Sequence, residues 1–229
     1  MRKYIWCAAI AVVFFTGISV NAQKFEFVTV SDVVRNVRDR FSKVEGYQAD
    51  FTMVTLKGSG SVTQKGVIQS LQPNYLRIMF NAPRNQQVVS DGKMMWVYIP
   101  SMNVVAEQDL KDDKGTEFSA VSYVGLRRLF AKYHYKFASK EQPALMSDGK
   151  KYYTLLLQQK ESRSGYKTIN LWINEDYLIT RAEGETSTGK KITISFDNIN
   201  TNAKLLKGNF KFDIPSNAKV IKNPMISEE

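Results

Sequence analysis

The chain has 229 residues and a formal net charge of +10, with a single histidine and a single cysteine. These two residues are too few for a zinc site built from Cys and His side chains. Lysines and arginines are spread along the chain without a dense run. That spread favours a surface that is simply solvated. The alternative is a surface that binds anionic lipid or an acidic partner.

The first 22 residues have the pattern of a secretory signal peptide. Two basic residues precede an apolar run from Ile5 to Val20, and small residues then allow cleavage after Ala22. An uncleaved anchor is the alternative, although the run is at the short limit for spanning a bilayer. Cys7 lies inside the run, so no lipoprotein box precedes a cysteine. We expect an exported protein of one domain, residues 23–229, without disulfides and without a nucleic-acid partner.

The first element after this segment is predicted to be a helix over Ser31–Glu45. Ser31 is the predicted N-cap, and Gly46 is expected to end the helix in a left-handed turn. Apolar side chains recur at spacings of three and four residues, which is typical of an amphipathic helix packed on a core. The stripe consists of Val30, Val34, Val37, Phe41 and Val44.

A run of short strands follows the helix. Tyr47–Leu56 alternates partly in polarity, and Ser61–Leu71 contains Gly66, which predicts a bulge or a kink. In Tyr75–Phe80 the charged Arg77 should face water, which places Leu76, Ile78 and Phe80 in the interior. Asp91-Gly92 indicates a tight hairpin between strands at Gln86–Ser90 and Lys93–Ile99. That last strand is apolar on both faces, so its periodicity leaves its orientation open.

The remaining chain reads as helix and then strands again. Thr116–Tyr133 has helical spacing interrupted by Gly125, so one helix and two short helices are both compatible with it. The total is about ten or eleven antiparallel strands, which predicts a mainly β fold: an incomplete barrel or curled sheet. The further predicted strands are Asn103–Gln108, Tyr135–Ser139, Tyr152–Gln159, Thr168–Asn174, Leu178–Thr186, Lys191–Asn198 and Asn209–Asp213.

Catalytic patterns are weak in this sequence. His134 lies between two tyrosines at a strand entry, where a structural role is the simpler interpretation. Acidic pairs at Asp112-Asp113, Glu175-Asp176 and Glu183/Glu185 could serve a glycoside hydrolase only if they faced each other across a cleft. Solvated turn residues are the commoner explanation. We therefore expect no enzyme, no metal and no cofactor.

Three segments share their order and their motifs with one family. They are VRDRFSKVEGYQADFT, QPNYLRIMFNAPRNQQVVSDGKMMWVYIP and NFKFDIPSNAKVI. In this order they resemble the LolA-like family of periplasmic outer-membrane lipoprotein carriers. The resemblance spans essentially the whole chain after the signal peptide. Its most specific part is Ser90-Asp91-Gly92 followed by Trp96 and Tyr98.

The resemblance implies an incomplete β-barrel whose mouth is covered by helices over an apolar cavity for acyl chains. The lid would be the Val34–Val44 helix together with helices from Phe118–Phe130. Such a carrier is a monomer that receives lipoproteins from an inner-membrane exporter and delivers them to an outer-membrane acceptor. The predicted lipid-binding residues are Val34, Val37, Phe41, Phe51, Met53, Leu76, Ile78, Phe80, Trp96, Tyr98, Val121, Leu129 and Phe130.

One position departs from the family pattern. Well-studied members carry a basic residue before the strand-leading proline, where it is thought to hold the lid closed, and this chain has Gln72 before Pro73. Lid opening is therefore expected to be set differently here. The alternative function is an envelope-stress sensor or regulatory module of the same fold that binds a lipoprotein or a membrane-protein tail.

Overall fold

The computed structural model describes residues 28–82, 84–110, 122–161 and 165–223. Helix α1 spans Val30–Ser42 and helix α2 spans Tyr123–Lys132. The predicted signal peptide, residues 111–121 and the last six residues lie outside the described residues. The strands are β1 (Gly46–Lys57), β2 (Gly60–Leu71), β3 (Tyr75–Ala82), β4 (Gln87–Ser90), β5 (Met94–Ile99), β6 (Val104–Asp109), β7 (Tyr133–Phe137), β8 (Ala144–Leu145), β9 (Lys151–Gln159), β10 (Tyr166–Ile173), β11 (Ile179–Thr186), β12 (Lys191–Asn200) and β13 (Lys219–Lys222).

All thirteen strands form one curled sheet, in the order β13-β6-β5-β4-β3-β2-β1-β12-β11-β10-β9-β7, with β8 beside β9. Neighbouring strands are antiparallel, except that β13 runs parallel to β6. Strands β7 and β13 are the two ends of this order, so the barrel is incomplete, as predicted. The count exceeds the predicted ten or eleven, partly because the short strands β8 and β13 were not predicted.

The N-cap of helix α1 lies two residues before the predicted one. Thr29, and not Ser31, is the N-cap: its hydroxyl accepts a hydrogen bond from the backbone N–H of Asp32 at 3.1 Å. The Asp32 carboxylate in turn accepts the backbone N–H of Thr29 at 3.0 Å, which completes a capping box. Three residues of the predicted apolar stripe, Val34, Val37 and Phe41, are buried on α1. The helix ends at Ser42 and not at Glu45, so Val44 is buried beyond its end, and Val30 is only partly buried.

Two glycines in β1 and β2 are explained by close packing. Gly46 does not end the helix in a left-handed turn, as the sequence suggested, because it is the first residue of β1. A Cβ at Gly46 would lie 2.1 Å from the carbonyl oxygen of Ala203. The predicted irregularity at Gly66 is confirmed: the β2–β3 register shifts between Lys65 and Gly66. A Cβ there would lie 2.0 Å from the carbonyl oxygen of Met79.

The C-terminal part of the described chain covers the convex face of the sheet. The prediction of a strand at Asn209–Asp213 is wrong, because a short 3₁₀ helix at Lys207–Phe210 precedes an irregular segment there. Phe210 is fully buried and packs against Tyr75, with their ring centroids 5.6 Å apart. In the described residues, neither helix is both long and apolar enough to cross a bilayer.

Candidate functional site

The concave face of the sheet is an apolar surface covered by α1. Alternate residues of β3 point inward, and Leu76, Ile78 and Phe80 are 7%, 2% and 5% exposed. Phe51 of β1 meets Phe80 edge-on, with ring centroids 5.4 Å apart. These four predicted residues and the predicted α1 residues (Val34, Val37 and Phe41) therefore belong to one buried cluster.

Helix α2 forms a second cover beside α1. Ser122 caps the helix: its hydroxyl oxygen accepts a hydrogen bond from the backbone N–H of Gly125. Gly125 lies inside α2 and does not interrupt it. Phe130 is buried in the same cluster, and Leu129 packs against it while partly exposed. The guanidinium of Arg38 on α1 lies 5.5 Å from the Phe130 ring centroid, which links the two helices. Val121 and Phe118 fall outside the described residues.

Among the described residues, the space between α1 and the sheet is filled. The pocket between the end of α1 and the sheet has about 10 Å³ of free volume, room for about one water molecule. The sequence led us to expect a cavity that the side chains leave open, but beneath α1 the described side chains fill this space. Phe41, Ile78 and Phe80 are buried together in one core. An acyl chain can enter the space beneath α1 only if α1 or its side chains move. The pocket is lined by Phe41, Val44, Ser70, Leu71, Gln72, Pro73, Ser122 and Tyr123.

Trp96 and Tyr98 lie on the other side of the sheet. Their neighbours Met95 and Val97 belong to the interior, and successive residues of a strand face opposite sides. The rings of Trp96 and Tyr98 each lie 6.1 Å from the ring of Phe212 on the convex face. The geometry therefore separates these two residues from the other described members of the predicted set.

The methionines are also divided between the two faces. Met95 is buried, and Met53 packs partly exposed against the core. Met79 and Met94 each follow or precede an inward-facing residue on the same strand, and so face the convex side. Met53 and Met95 therefore lie on the concave side of the sheet, and Met79 and Met94 on the convex side.

Gln72 holds the C-terminal end of α1. Its side-chain amide nitrogen donates to the carbonyl oxygens of Phe41 (3.3 Å), Ser42 (3.2 Å) and Val44 (2.8 Å). These carbonyls lie at or just beyond the helix end, where intrahelical partners are missing. The sequence singled out Gln72 only as a departure from the family pattern. Its role as a neutral cap depends on contacts about 30 residues away, which have no local signal.

Two further polar groups, those of Arg40 and Tyr47, lie near the C-terminal end of α1. The Arg40 guanidinium donates to the hydroxyl of Thr201 at 2.9 Å, which ties the helix to the chain after β12. Below the helix, the Tyr47 hydroxyl is buried and has no hydrogen-bond partner among the described residues. Burial raises the pKa of Tyr47 well above its ordinary value, so the hydroxyl stays neutral.

The acidic pairs within the described ranges do not converge on a cleft. Glu175 and Asp176 are exposed in a turn, and Asp112-Asp113 lies outside the described residues. Glu183 pairs with Arg181 at 3.4 Å, and Glu185 pairs with Lys191 at 3.6 Å. His134 is exposed on the edge strand β7. In the described ranges, no group of three or more His, Cys, Asp or Glu residues could hold a metal ion. The chemical property that the described site offers is an apolar surface against which a ligand can be buried.

Comparison with known proteins identifies a family. The model of the family described as outer membrane lipoprotein carrier protein LolA matches residues 42–213. An outer-membrane lipoprotein carrier protein from Chromohalobacter salexigens is 26% identical over 227 residues, covering 97% of this chain and 99% of that protein. One from Bordetella avium is 27% identical over 183 residues, covering 79% of this chain and 83% of that protein.

The fold itself recurs in a solved structure. An uncharacterized conserved protein from Thermus thermophilus superposes with a TM-score of 0.56 at 13% identity. The match covers 84% of this chain and 98% of that one. At that identity the similarity concerns the fold alone.

Proposed function

Because this chain belongs to the outer membrane lipoprotein carrier family, whose model matches residues 42–213, we propose that it carries lipoproteins by enclosing their acyl chains between α1 and the concave face of the sheet. The observation that carries this proposal is the apolar interior formed by α1, β1 and β3. Each methylene moved from water into such an interior contributes about 0.8 kcal/mol. An acyl chain therefore supplies enough free energy to displace a short helix.

Uptake requires α1 to give way. The acyl chain would replace the contacts that Val34, Val37 and Phe41 make with the sheet, so that one apolar cover is exchanged for another. The Gln72 amide resists this movement through hydrogen bonds to main-chain carbonyls at the helix end. Neutral hydrogen bonds of this kind each contribute about 1 kcal/mol net. The lid is thus held closed by a modest and reversible contact.

The proposed lipid-binding residues are those that face the interior. From the predicted set these are Val34, Val37, Phe41, Phe51, Met53, Leu76, Ile78, Phe80, Leu129 and Phe130. Trp96 and Tyr98 are left out of the proposal because they face Phe212 on the convex side. Val121 stays a prediction.

The proposal includes a setting for the carrier. It would be a periplasmic monomer, released by cleavage after Ala22, that takes cargo from an inner-membrane exporter and hands it to an outer-membrane acceptor. It would carry no enzymatic activity. Fractionation of cells followed by N-terminal sequencing tests the compartment and the cleavage site. A chain that begins at Met1 and stays in the membrane fraction would contradict both.

The relatives from Chromohalobacter salexigens and Bordetella avium are outer-membrane lipoprotein carrier proteins, which argues against the sensor alternative. A sensor would bind one regulator without transferring lipid, whereas a carrier must release its cargo. Transfer of a bound lipopeptide to an acceptor membrane or protein separates the two functions.

The test of the proposed function uses a fluorescent diacylated lipopeptide and the same peptide without acyl chains. We expect saturable binding of the acylated peptide only. Phe41→Ala should lower that affinity by at least severalfold, because Phe41 lies on the buried face of the lid helix α1 and is one of the proposed lipid-binding residues. Phe212→Ala is the matched control on the convex face and should leave the affinity unchanged. Equal binding of both peptides, or equal effects of both substitutions, would overturn the proposal.

A further inference from the structure

The β1–β2 hairpin extends beyond the core. Both strands have twelve residues, whereas β4, β5 and β6 have four to six. No residue of β2 before Gly66 is buried. We call the outer part of the hairpin, from Val54 to its pairing partner Thr63, the hairpin tip. The tip holds two exposed apolar residues, Leu56 (44% exposed) and Val62 (61% exposed).

These two side chains lie on opposite faces of the hairpin. Leu56 pairs with Ser61, and Val62 pairs with Thr55, so Leu56 and Val62 belong to successive pairs. Side chains of directly paired residues share a face, and successive pairs alternate between faces. A groove on a protein would cover one face and leave the other apolar residue in water. An apolar tip with two faces suits surroundings that contact it from all sides, such as the interfacial layer of a bilayer.

Basic residues flank the hairpin tip. Lys191 of β12 pairs directly with Leu56, and Lys190 precedes it in the neighbouring turn. Lys65 is exposed on β2 just below the tip. Glu185 partly balances Lys191, at 3.6 Å, and the chain as a whole carries +10. Exposed apolar side chains next to lysines complement the interface of a membrane that contains anionic phospholipid.

We propose that the hairpin tip is a membrane-docking element that inserts Leu56 and Val62 shallowly into the surface of an anionic phospholipid bilayer. Lys190 and Lys191 contact the head groups at the same surface. This inference concerns where the protein meets a membrane and does not depend on which cargo it carries.

Vesicle flotation tests the proposal with the full chain after signal removal. We expect binding to vesicles of mixed phosphatidylcholine and phosphatidylglycerol, weaker binding to phosphatidylcholine alone, and weakening by salt. The double substitution Leu56→Ser and Val62→Ser should lower the partition coefficient about tenfold, since it removes two apolar side chains from the interface. The matched control is Leu145→Ser with Leu206→Ser, at positions 68% and 75% exposed elsewhere, and it should bind like the unaltered protein.

A second measurement locates the contact directly. In Leu56→Trp, fluorescence should shift to shorter wavelength on addition of the mixed vesicles, whereas Leu145→Trp should show no shift. Equal loss of flotation in both double variants, no shift for Leu56→Trp, or vesicle binding independent of phosphatidylglycerol would overturn the proposal. So would protection of the tip by a membrane protein in the absence of vesicle binding. Binding of the acylated peptide in solution should persist in the Leu56/Val62 variant, which separates this test from that of the carrier function.

Discussion

The two faces of the sheet are both covered, but by different kinds of structure. On the concave face the cover is the helix α1, whose Val37 is fully buried. On the convex face the cover is the segment after β12, in which Phe210 is fully buried and Phe212 lies against Trp96 and Tyr98. Judged by burial alone, neither cover is looser than the other.

The difference lies in the main chain. A helix satisfies its own backbone hydrogen bonds, so α1 can leave the sheet without breaking any ladder. Its polar ties are side-chain bonds from Gln72 and Arg40. The convex cover is bound through its backbone: Ala203 N–H donates to the Gly46 carbonyl at 3.2 Å, and β13 pairs with β6. We infer that the concave cover is the movable one and that the convex cover is permanent.

The largest expected effect tests the permanent cover. Phe210→Ala should lower the free energy of unfolding by about 3–5 kcal/mol, because it removes a fully buried ring and leaves a cavity. Denaturant unfolding measures the change, and lipopeptide affinity per folded molecule should stay constant. Leu206→Ala, at an exposed position in the same segment, is the control and should change stability by less than about 0.5 kcal/mol. A stability loss below that of a surface substitution would show that this cover is loosely attached.

The next effect tests the movable cover. Gln72→Glu keeps the size of the side chain but removes the donor and places a negative charge beside the C-terminal carbonyls of α1. The loss of these hydrogen bonds and the unfavourable interaction with the helix dipole should cost about 1–2 kcal/mol. Hydrogen exchange should accelerate in α1 and stay unchanged in β13, and lipopeptide should bind faster. Gln72→Arg restores donors and is the control. Equal acceleration in both elements would contradict the comparison.

The features that the sequence predicted well are those set by neighbouring residues. The β4–β5 hairpin follows from Asp91-Gly92: the Asp91 carboxylate accepts the backbone N–H groups of Lys93 and Met94, each at 2.8 Å, and Gly92 has φ +88°. The interior face of β3 follows from alternation once the charged Arg77 is placed outside. Local chemistry and a period of two residues are enough for these features.

The features that the sequence missed depend on distant contacts. Strand β5 is apolar on both faces because both faces of the sheet are covered, so alternation could not separate Trp96 from Met95. The sequence predicts a strand at Asn209–Asp213, but the rings of Phe210 and Phe212 pack on the face of the sheet and not beside its edge. Position 46 requires glycine because a side chain there would clash with the carbonyl oxygen of Ala203, more than 150 residues away. No pattern within a short window contains these constraints.

A smaller effect is expected for the buried hydroxyl beneath α1. Tyr47→Phe removes a hydroxyl that has no partner among the described residues, so the unfolding free energy should stay the same or rise by up to about 1 kcal/mol. The ring, which lies 6.1 Å from that of Phe41, keeps its packing. Thermal unfolding at one pH measures the change. A loss of more than about 1 kcal/mol would mean that the hydroxyl has a partner and that α1 is tied to the sheet more firmly than we infer.

The smallest effect concerns pH and separates the two covers once more. Hydrogen bonds from the Thr29 hydroxyl and backbone, together with Arg35, lower the pKa of Asp32 at the start of α1. Because the pKa is lower in the folded than in the unfolded chain, the contribution of Asp32 is complete above its ordinary pKa and is lost as the pH falls through the folded value. The protection factors of the Asp32 and Val33 amides, which donate to the hydroxyl and the carbonyl of Thr29, should therefore fall in acid, and Asp32→Asn should remove that dependence. The main-chain bonds of β13 do not titrate, so exchange there should change only by the intrinsic pH dependence of amides. If α1 and β13 responded to acid in parallel, global unfolding and not release of the movable cover would be the event observed.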